Sequence, residues 1–140
     1  MKTVTIKLDI QQWVKKSDTK DCDEFDELFC DPDPAFEEDY LGSLEVSDFK
    51  QDFNLKKIEL DGSRHFREIE FMLAFKTKNI DEFYKLMEDE YIYEDEEFDA
   101  NRFAIYWMSG LNSIWYEDDS EAEHEIEIDE TDVFGEINIQ

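Results

Sequence analysis

The chain has 140 residues, the usual size of one domain, and carries 40 acidic against 14 basic residues, a formal net charge of -26. A charge this high favours disorder only where apolar content is low. Here 41% of residues are hydrophobic and 15% aromatic, so the composition excludes a disordered chain and predicts one folded domain over 1–140 with a strongly acidic surface.

The sequence shows neither a targeting signal at its N-terminus nor a membrane-spanning stretch. The first ten residues, MKTVTIKLDI, alternate polar with apolar side chains and lack the continuous apolar run of a signal peptide. No stretch approaches the roughly 20 apolar residues that span a bilayer. We therefore expect a cytoplasmic protein that does not bind membranes. Cys22 and Cys30 are expected to be reduced thiols there, although their even number leaves a disulfide open.

The predicted elements begin with a strand. The heptapeptide VTIKLDI at 4–10 places its four aliphatic side chains on one face. A short helix carrying Phe25, Leu28 and Phe29 is expected next. The sequence DPDP at 31–34 excludes regular structure there, because the residue before each proline is pushed out of the helical region.

Two more strands and a helix are predicted in the middle of the chain. The strands FNLKKIEL (53–60) and REIEFMLAFKT (67–77) flank DGSR, and Asp61-Gly62 predicts a tight hairpin between them because both residues tolerate positive φ. Alternate residues of the second strand share one face: Ile69, Phe71, Leu73 and Phe75. A helix follows, with Asn79 and Glu82 placed for a capping box and apolar residues at helical period: Ile80, Phe83, Leu86 and Met87.

The stretch 99–116 has two interpretations. As a helix it begins at Asp99 and aligns Phe103, Trp107, Leu111 and Ile114. As two strands it turns at Ser109-Gly110; we favour the helix. Strands return in HEIEIDE (124–130) and FGEINI (134–139). The sum is a single α+β domain with a mainly antiparallel sheet and two or three helices.

The acidic residues cluster in three windows. Residues 18–39 hold eleven acids and one lysine, 81–99 hold ten acids and one lysine, and 117–132 hold ten acids and no base. A single acidic run is usually a solvated face. Three runs on one folded chain, at a net charge far above the magnitude of roughly 2–8 that solubility requires, indicate that the charge has a use.

The sequence HEIEIDETD at 124–132 suggests that use. On a strand, Ile126 and Ile128 point to one face, and Glu125, Glu127 and Asp129 to the other. Carboxylates two residues apart on a strand are separated by about 6.8 Å, and duplex DNA carries one phosphate per roughly 3.4 Å on each strand. We hypothesise that these carboxylates act as surrogate phosphates for a protein that grips nucleic acid by its backbone.

The expected contact surface combines 88–99 with 117–132. Tyrosine and tryptophan are enriched among interface hot spots, so exposed aromatic residues here would be apolar anchors, although burial in the core is the ordinary role of such rings. The expected aromatic contacts are Tyr91, Tyr93, Trp115 and Tyr116. The expected acidic contacts are Glu88, Asp89, Glu90, Glu94, Asp95, Glu96, Glu97, Asp99, Glu117, Asp118, Asp119, Glu121, Glu123, Glu125, Glu127 and Asp129.

Enzymatic and metal-binding functions find little support in the sequence. It contains no Gly-rich phosphate loop, no G-x-S-x-G and no H-E-x-x-H. With 40 carboxylates, a pair at acid/base spacing is inevitable and diagnoses nothing. The spacing of Cys22 and Cys30 does not match a zinc motif, and the acidic runs do not fit the EF-hand loop. We expect no enzyme, cofactor or dedicated metal site.

Small size, extreme acidity and aromatic richness make the chain resemble the DNA-mimic inhibitors of phages and mobile elements. Those proteins block restriction enzymes, CRISPR effectors, DNA-repair glycosylases or nucleoid proteins. The resemblance lies in composition and charge layout, and it implies an antirestriction or anti-CRISPR type of inhibitor. Its partner would be a basic nucleic-acid-binding protein in a bacterial host cell, without direct nucleic-acid binding by the chain itself.

Other interpretations remain open at this point. An immunity protein that neutralises a basic nuclease toxin uses the same electrostatics. An acidic chaperone for basic proteins usually carries its charge in flexible tails, whereas here the charge is interleaved with aromatic residues. Adaptation to high salt is a further explanation of acidity. A homodimer is also open, because two acidic copies would form a longer mimic.

Overall fold

The computed structural model describes residues 1–60 and 62–140 and confirms the α+β class. The described strands are β1 (Lys2–Lys15), β2 (Ala35–Phe36), β3 (Ser47–Glu59), β4 (Arg64–Thr77), β5 (Tyr93–Glu94), β6 (Glu97–Phe98), β7 (Met108–Ser109), β8 (Ser113–Glu117), β9 (Glu123–Glu127) and β10 (Glu130–Ile139). The α-helices are α1 (Phe25–Phe29), α2 (Ile80–Asp89) and α3 (Ala100–Trp107), with 3₁₀ turns at Lys16–Thr19 and Glu38–Leu44. None of the helices in these two ranges has the length and apolar character needed to cross a membrane.

Four long strands form the main sheet, in the order β10-β1-β4-β3, with every neighbouring pair antiparallel. The predicted apolar faces of β1 and β4 are confirmed, because alternate residues from Val4 to Ile10 and from Ile69 to Phe75 are buried. Phe83 and Met87 of α2 and Phe103 and Trp107 of α3 join the same cluster. One face of the sheet is therefore covered by helices, and the other face is open.

The predicted hairpin between the two middle strands is present as the β3–β4 pair. Gly62 lies between the two strands with φ of 82°, a region that glycine enters at little cost. Asp61, the other residue of the predicted turn, lies outside the described residues. The register of β3 shifts twice, between Ser47 and Lys50 and between Leu55 and Lys57.

A second, smaller apolar cluster joins α1 to the hairpin formed by β8 and β9. Phe25 and Phe29 from α1 are buried there with Ile114 and Ile126, one from each strand of the hairpin. The predicted short helix and the burial of Ile126 are confirmed. Cys22 lies in this cluster and Cys30 is exposed, and both are free thiols.

The stretch 99–116 combines the two predicted arrangements. Asp99 caps α3 by accepting a hydrogen bond from the Arg102 amide at 3.0 Å, as the helical interpretation predicts. The helix ends at Trp107, so the predicted continuation through Leu111 and Ile114 is wrong. The chain turns at Gly110, whose φ of 79° ends regular structure, and re-enters a strand at β8.

The predicted capping box at α2 is also wrong. Asn79 does precede the helix, but its side chain makes no hydrogen bond to the first turn. Its Nδ2 instead donates to the carbonyl oxygen of Leu44 at 3.0 Å. The amide ties the start of the helix to the 3₁₀ turn that ends at Leu44, a tertiary contact that local spacing does not reveal.

Substituting Gly110 by alanine is expected to destabilise the fold by about 2 kcal/mol, because a β-carbon at this position overlaps the backbone oxygen of Asp33 and the positive φ disfavours a side chain. Gly42→Ala is the matched control, since a β-carbon there has nothing within 4 Å. Urea denaturation of both variants checks the prediction. Equal unfolding midpoints would show that the turn relaxes freely.

Candidate functional site

Ion pairs with lysine lie on the open face and outer strand of the main sheet. The Lys56 ammonium lies 3.5 Å from Asp9, 3.9 Å from Glu68 and 3.5 Å from Glu70. Burial, more than the neighbouring Glu68 charge, raises the pKa of the Asp9 carboxyl. Two further pairs, Lys57 with Glu59 at 3.1 Å and Lys76 with Asp48 at 3.3 Å, lie on β3 and its partner strand.

The two predicted acidic segments lack this neutralisation. Among the described residues, no carboxylate from Glu88 to Asp99 forms an ion pair. In the same described part of the chain, no carboxylate of 117–127 pairs with a lysine or arginine, and Asp118 lies 2.7 Å from the ring nitrogen Nε2 of His124. Within residues 1–60 and 62–140, the acids that pair with lysine or arginine are all on the main sheet or, for Asp129, beside it, and the other acids, those of 18–39 included, make no such pair.

The outer face of the β8–β9 hairpin carries a tryptophan among glutamates, which we call the hairpin patch: Trp115, Glu117, Glu123, Glu125 and Glu127. Trp115 lies opposite Glu125 and is 58% exposed, whereas Trp107 is buried in the core at 1%. Glu117 lies directly opposite Glu123. Like charges at directly opposed positions destabilise a hairpin, so the fold tolerates this arrangement at a cost.

Asp129 does not belong to the hairpin patch, so the predicted row of three strand carboxylates is wrong at its third position. The strand β9 ends at Glu127. The Asp129 carboxylate lies 3.5 Å from Lys15 and 3.5 Å from Arg64. These bases come from β1 and β4, and their proximity follows from sheet topology rather than from local sequence.

Asp118 organises the turn between β8 and β9. Its Oδ1 accepts hydrogen bonds from the Ser120 amide at 2.9 Å, the Ser120 hydroxyl at 2.7 Å and the Ala122 amide at 3.1 Å. The hydrogen bonds from Ser120, followed by those from His124 and Ala122, hold the pKa of the Asp118 carboxyl well below its usual range. This carboxylate shapes the turn, and its neighbours Asp119 and Glu121 are exposed there.

Replacing Asp118 by asparagine is expected to speed hydrogen exchange at the Ser120 and Ala122 amides by about tenfold, because the amide oxygen is a weaker acceptor than the carboxylate. Asp119→Asn, at an exposed neighbour, is the control and is expected to change neither rate. Since the folded pKa is depressed, the stabilisation is complete above the unfolded value of about 3.9 and is lost as pH falls through the folded value. Protection that stays constant from pH 5 to the folded pKa and below would contradict this role.

The structure brings part of the first acidic window to the hairpin, which the sequence did not indicate. Glu24 lines a shallow depression together with Trp115, Tyr116, Glu117 and Glu123. Tyr116 is half-buried against His124, and partial burial together with the charges of Asp21 and Asp118 raises the pKa of its phenol. Phe25 and Phe29 of α1 pack against the hairpin, and this packing places Glu24, the residue directly before α1, beside the hairpin.

The second acidic segment forms a groove against β10, which we call the acidic groove: Tyr91, Glu94, Asp95, Glu97, Phe98 and Asp99 facing 133–135. Its volume is about 600 Å³. Glu94 lies directly opposite Glu97 in the β5–β6 hairpin. Asp95 and Glu96 make the turn with φ of 52° and 67°, a conformation that asparagine and glycine adopt more easily.

The remaining residues of this segment lie beside the groove. Glu88 and Asp89 end α2 and Glu90 follows it, and all three are exposed at a helix terminus where negative charge is unfavourable. Tyr91 is 62% exposed with the Arg102 guanidinium 5.6 Å from its ring centre. Tyr93 is half-buried against Tyr84 with ring centres 5.3 Å apart, so it contributes mainly to packing.

The predicted contact residues therefore form two surfaces rather than one. The hairpin patch rests on the smaller cluster beside α1, and the acidic groove lies beside the larger cluster along β10. Within residues 1–60 and 62–140, no group of three histidine, cysteine or carboxylate side chains is arranged to hold a metal ion. A scan against family models, a search of curated proteins and a search of solved structures each found no significant match.

Proposed function

We propose that the chain is a stoichiometric inhibitor that imitates a nucleic-acid backbone and occupies the basic cleft of a nucleic-acid-binding protein in a bacterial host cell. The observation that carries this proposal is the pairing of like charges in both short hairpins. Glu117 lies opposite Glu123 and Glu94 lies opposite Glu97, without a lysine or arginine paired to any of them in the described structure.

Selection for stability alone would not favour these positions. Opposed like charges cost a few tenths of a kcal/mol to about 1 kcal/mol per pair, and net charge far from zero repels itself. The chain does neutralise acids elsewhere, as Lys56 shows with its three carboxylate neighbours. Unneutralised carboxylates on rigid strands are suited to a cationic partner, whose own charges remove the repulsion on binding.

The hairpin patch presents its carboxylates in a regular row. Glu123, Glu125 and Glu127 are alternate residues of β9, so successive carboxylates are about 6.8 Å apart. That is about twice the length of helix axis per phosphate on one DNA strand, which is roughly 3.4 Å. The exposed Trp115 ring supplies an apolar anchor within this charge, and tryptophan is among the residues that dominate binding energy in protein interfaces.

Affinity capture from a bacterial lysate tests the proposal, with the chain immobilised and bound proteins eluted by a salt gradient. Polyglutamate of similar charge, immobilised in the same way, is the control for non-specific attraction. We expect one nucleic-acid-binding protein or complex to be retained by the chain, not by polyglutamate, and to be released by added DNA or RNA. Recovery of the same scattered basic proteins on both supports would contradict the proposal.

A further inference from the structure

The outer edge of β10 is an unpaired edge of the main sheet. Thr3 and Gln140 exchange both backbone hydrogen bonds, at 2.7 and 2.9 Å. In an antiparallel pair such hydrogen-bonded positions alternate. The register therefore directs the backbone N–H and C=O groups of Val133, Gly135, Ile137 and Ile139 away from β1 and toward the outside.

One of these outward groups already has a partner. The Val133 amide donates to Oδ1 of Asn101, at the start of α3, with a distance of 3.1 Å. Beyond this point β10 is the terminal strand of its sheet among the described residues. The free stretch runs from Gly135 to Ile139, long enough for a short added strand.

The two edges of the sheet differ in protection. Edge strands are usually protected against pairing by lysine, proline or bulges. The opposite edge, β3, carries Lys50, Lys56 and Lys57 and two register shifts. The strand β10 has no lysine or proline, and its register against β1 is continuous from Ile139 to Glu130.

Charge determines which strand this edge accepts. The acidic groove meets the edge at 133–135, and Glu136 projects from β10 itself. A second copy of the chain would bring two molecules of net charge -26 together along this line. A strand rich in arginine or lysine would instead pair its side chains with Glu94, Asp95 and Glu97, which have no ion pair among the described residues.

We propose that β10 binds an extended cationic segment of the partner protein as a fifth strand of the sheet, with basic side chains of that segment in the acidic groove. The backbone hydrogen bonds of Gly135, Ile137 and Ile139 supply affinity that does not depend on salt, and the groove selects for positive charge. This inference rests on the proposed function, since it names the part of the partner that docks beside the mimic surface.

Hydrogen exchange with a short peptide that alternates arginine and valine tests this docking mode. We expect the peptide to slow exchange at the amides of Gly135, Ile137 and Ile139 by at least tenfold, without slowing the outward amides of β3. A peptide of the same sequence, N-methylated on the residues that face β10, keeps its charge but cannot donate to the edge. We expect it to give no protection.

Two results would overturn the edge proposal. One is equal protection by the N-methylated peptide, or no protection by either peptide. The other is protection that rises with protein concentration in the absence of peptide, which would assign the edge to a second copy. Neither result bears on lysate capture by the hairpin patch, so failure of this inference is distinguishable from failure of the proposed function.

A variant of the chain provides an independent check. Ile137→Pro removes an outward N–H without removing a hydrogen bond to β1, and Ile137→Val controls for the change in side-chain volume. Peptide affinity is expected to fall at least tenfold in Ile137→Pro and to change less than twofold in Ile137→Val. Thermal melts of both variants establish that the sheet is folded at the assay temperature.

Discussion

Exchanging Glu123, Glu125 and Glu127 together for glutamine is expected to weaken binding to the captured partner by about 100-fold. Each of these exposed carboxylates is assigned about 1 kcal/mol of attraction to the basic cleft, and roughly 3 kcal/mol corresponds to slightly more than two powers of ten. The fold is expected to remain intact, because all three side chains point to solvent while the intervening Ile126 keeps its place in the core. Relief of the Glu117–Glu123 repulsion adds a small stabilisation.

A matched control removes the same number of charges from neutralised positions. Asp48→Asn, Glu59→Gln and Glu70→Gln together shift the formal net charge from -26 to -23, as the hairpin variant does. Each of these three acids is ion-paired with a lysine on the sheet. Affinity measured by calorimetry should change less than threefold in this control. An equal loss in both variants would mean that the partner senses only total charge.

Replacing Arg67 by alanine is expected to lower the free energy of unfolding by about 4 kcal/mol, the largest stability effect that we predict. Arg67 is buried, and desolvation lowers the pKa of its guanidinium to about 10, so it remains charged at neutral pH. Its Nε donates to Gln12 Oε1 at 2.9 Å and its Nη1 to the Phe29 carbonyl oxygen at 3.0 Å. Its loss leaves both acceptors without this donor and opens a cavity between sheet and helix.

The Phe29 ring lies against the same guanidinium, 4.7 Å from its carbon to the ring centre. Arg67 therefore holds α1, and the adjacent Glu24, in position beside the hairpin patch. Arg67→Lys keeps the charge, but its single ammonium cannot reproduce the fork of two donors, and an intermediate loss of about 2 kcal/mol is expected. Urea unfolding measures both variants. An alanine variant as stable as the parent would show that the buried charge contributes nothing to holding the helix.

Alternating and helical periods predicted most of the fold because they report burial directly. The core-facing sides of β1, β4 and α2 follow from their sequences. The apolar rows of β1 and β4 are buried, and the apolar residues of α2 are buried or packed against the core. The end of α3 does not follow from local sequence, because Met108 and Ser109 leave the helix to pair with β2, a contact between distant parts of the chain. The amide of Asn79 was misassigned for a similar reason, since its acceptor on Leu44 is 35 residues away.

The sequence predicts the charge of the candidate site but not the arrangement of its side chains. The acidic windows show where along the chain carboxylates are concentrated. Only the topology shows that Asp129 meets Arg64, 65 residues away, and is neutralised. Trp107 is buried in the core, and the pairing of β8 with β9 places Trp115 on the outer face of the hairpin, where it is exposed. Division of the acids into a hairpin patch and a separate acidic groove likewise depends on which cluster each segment packs against.

Two acidic surfaces on one chain suit a partner with an extended basic region. The hairpin patch presents charge at strand spacing, and the acidic groove combines charge with the open edge of β10. For one partner that binds both surfaces, the second contact is intramolecular, so each contact raises the effective concentration of the other. Combining Glu94→Gln and Glu97→Gln with the hairpin variant would then weaken binding further than either change alone.

Displacement of labelled nucleic acid from the captured partner tests backbone mimicry most directly. A fluorescent DNA or RNA bound to that protein is titrated with the chain, and anisotropy reports the bound fraction. We expect complete displacement near one chain per binding site, with steep weakening as salt rises and with little displacement by the hairpin variant at the same concentration. A ternary complex, in which the chain binds while the nucleic acid stays bound, would contradict it.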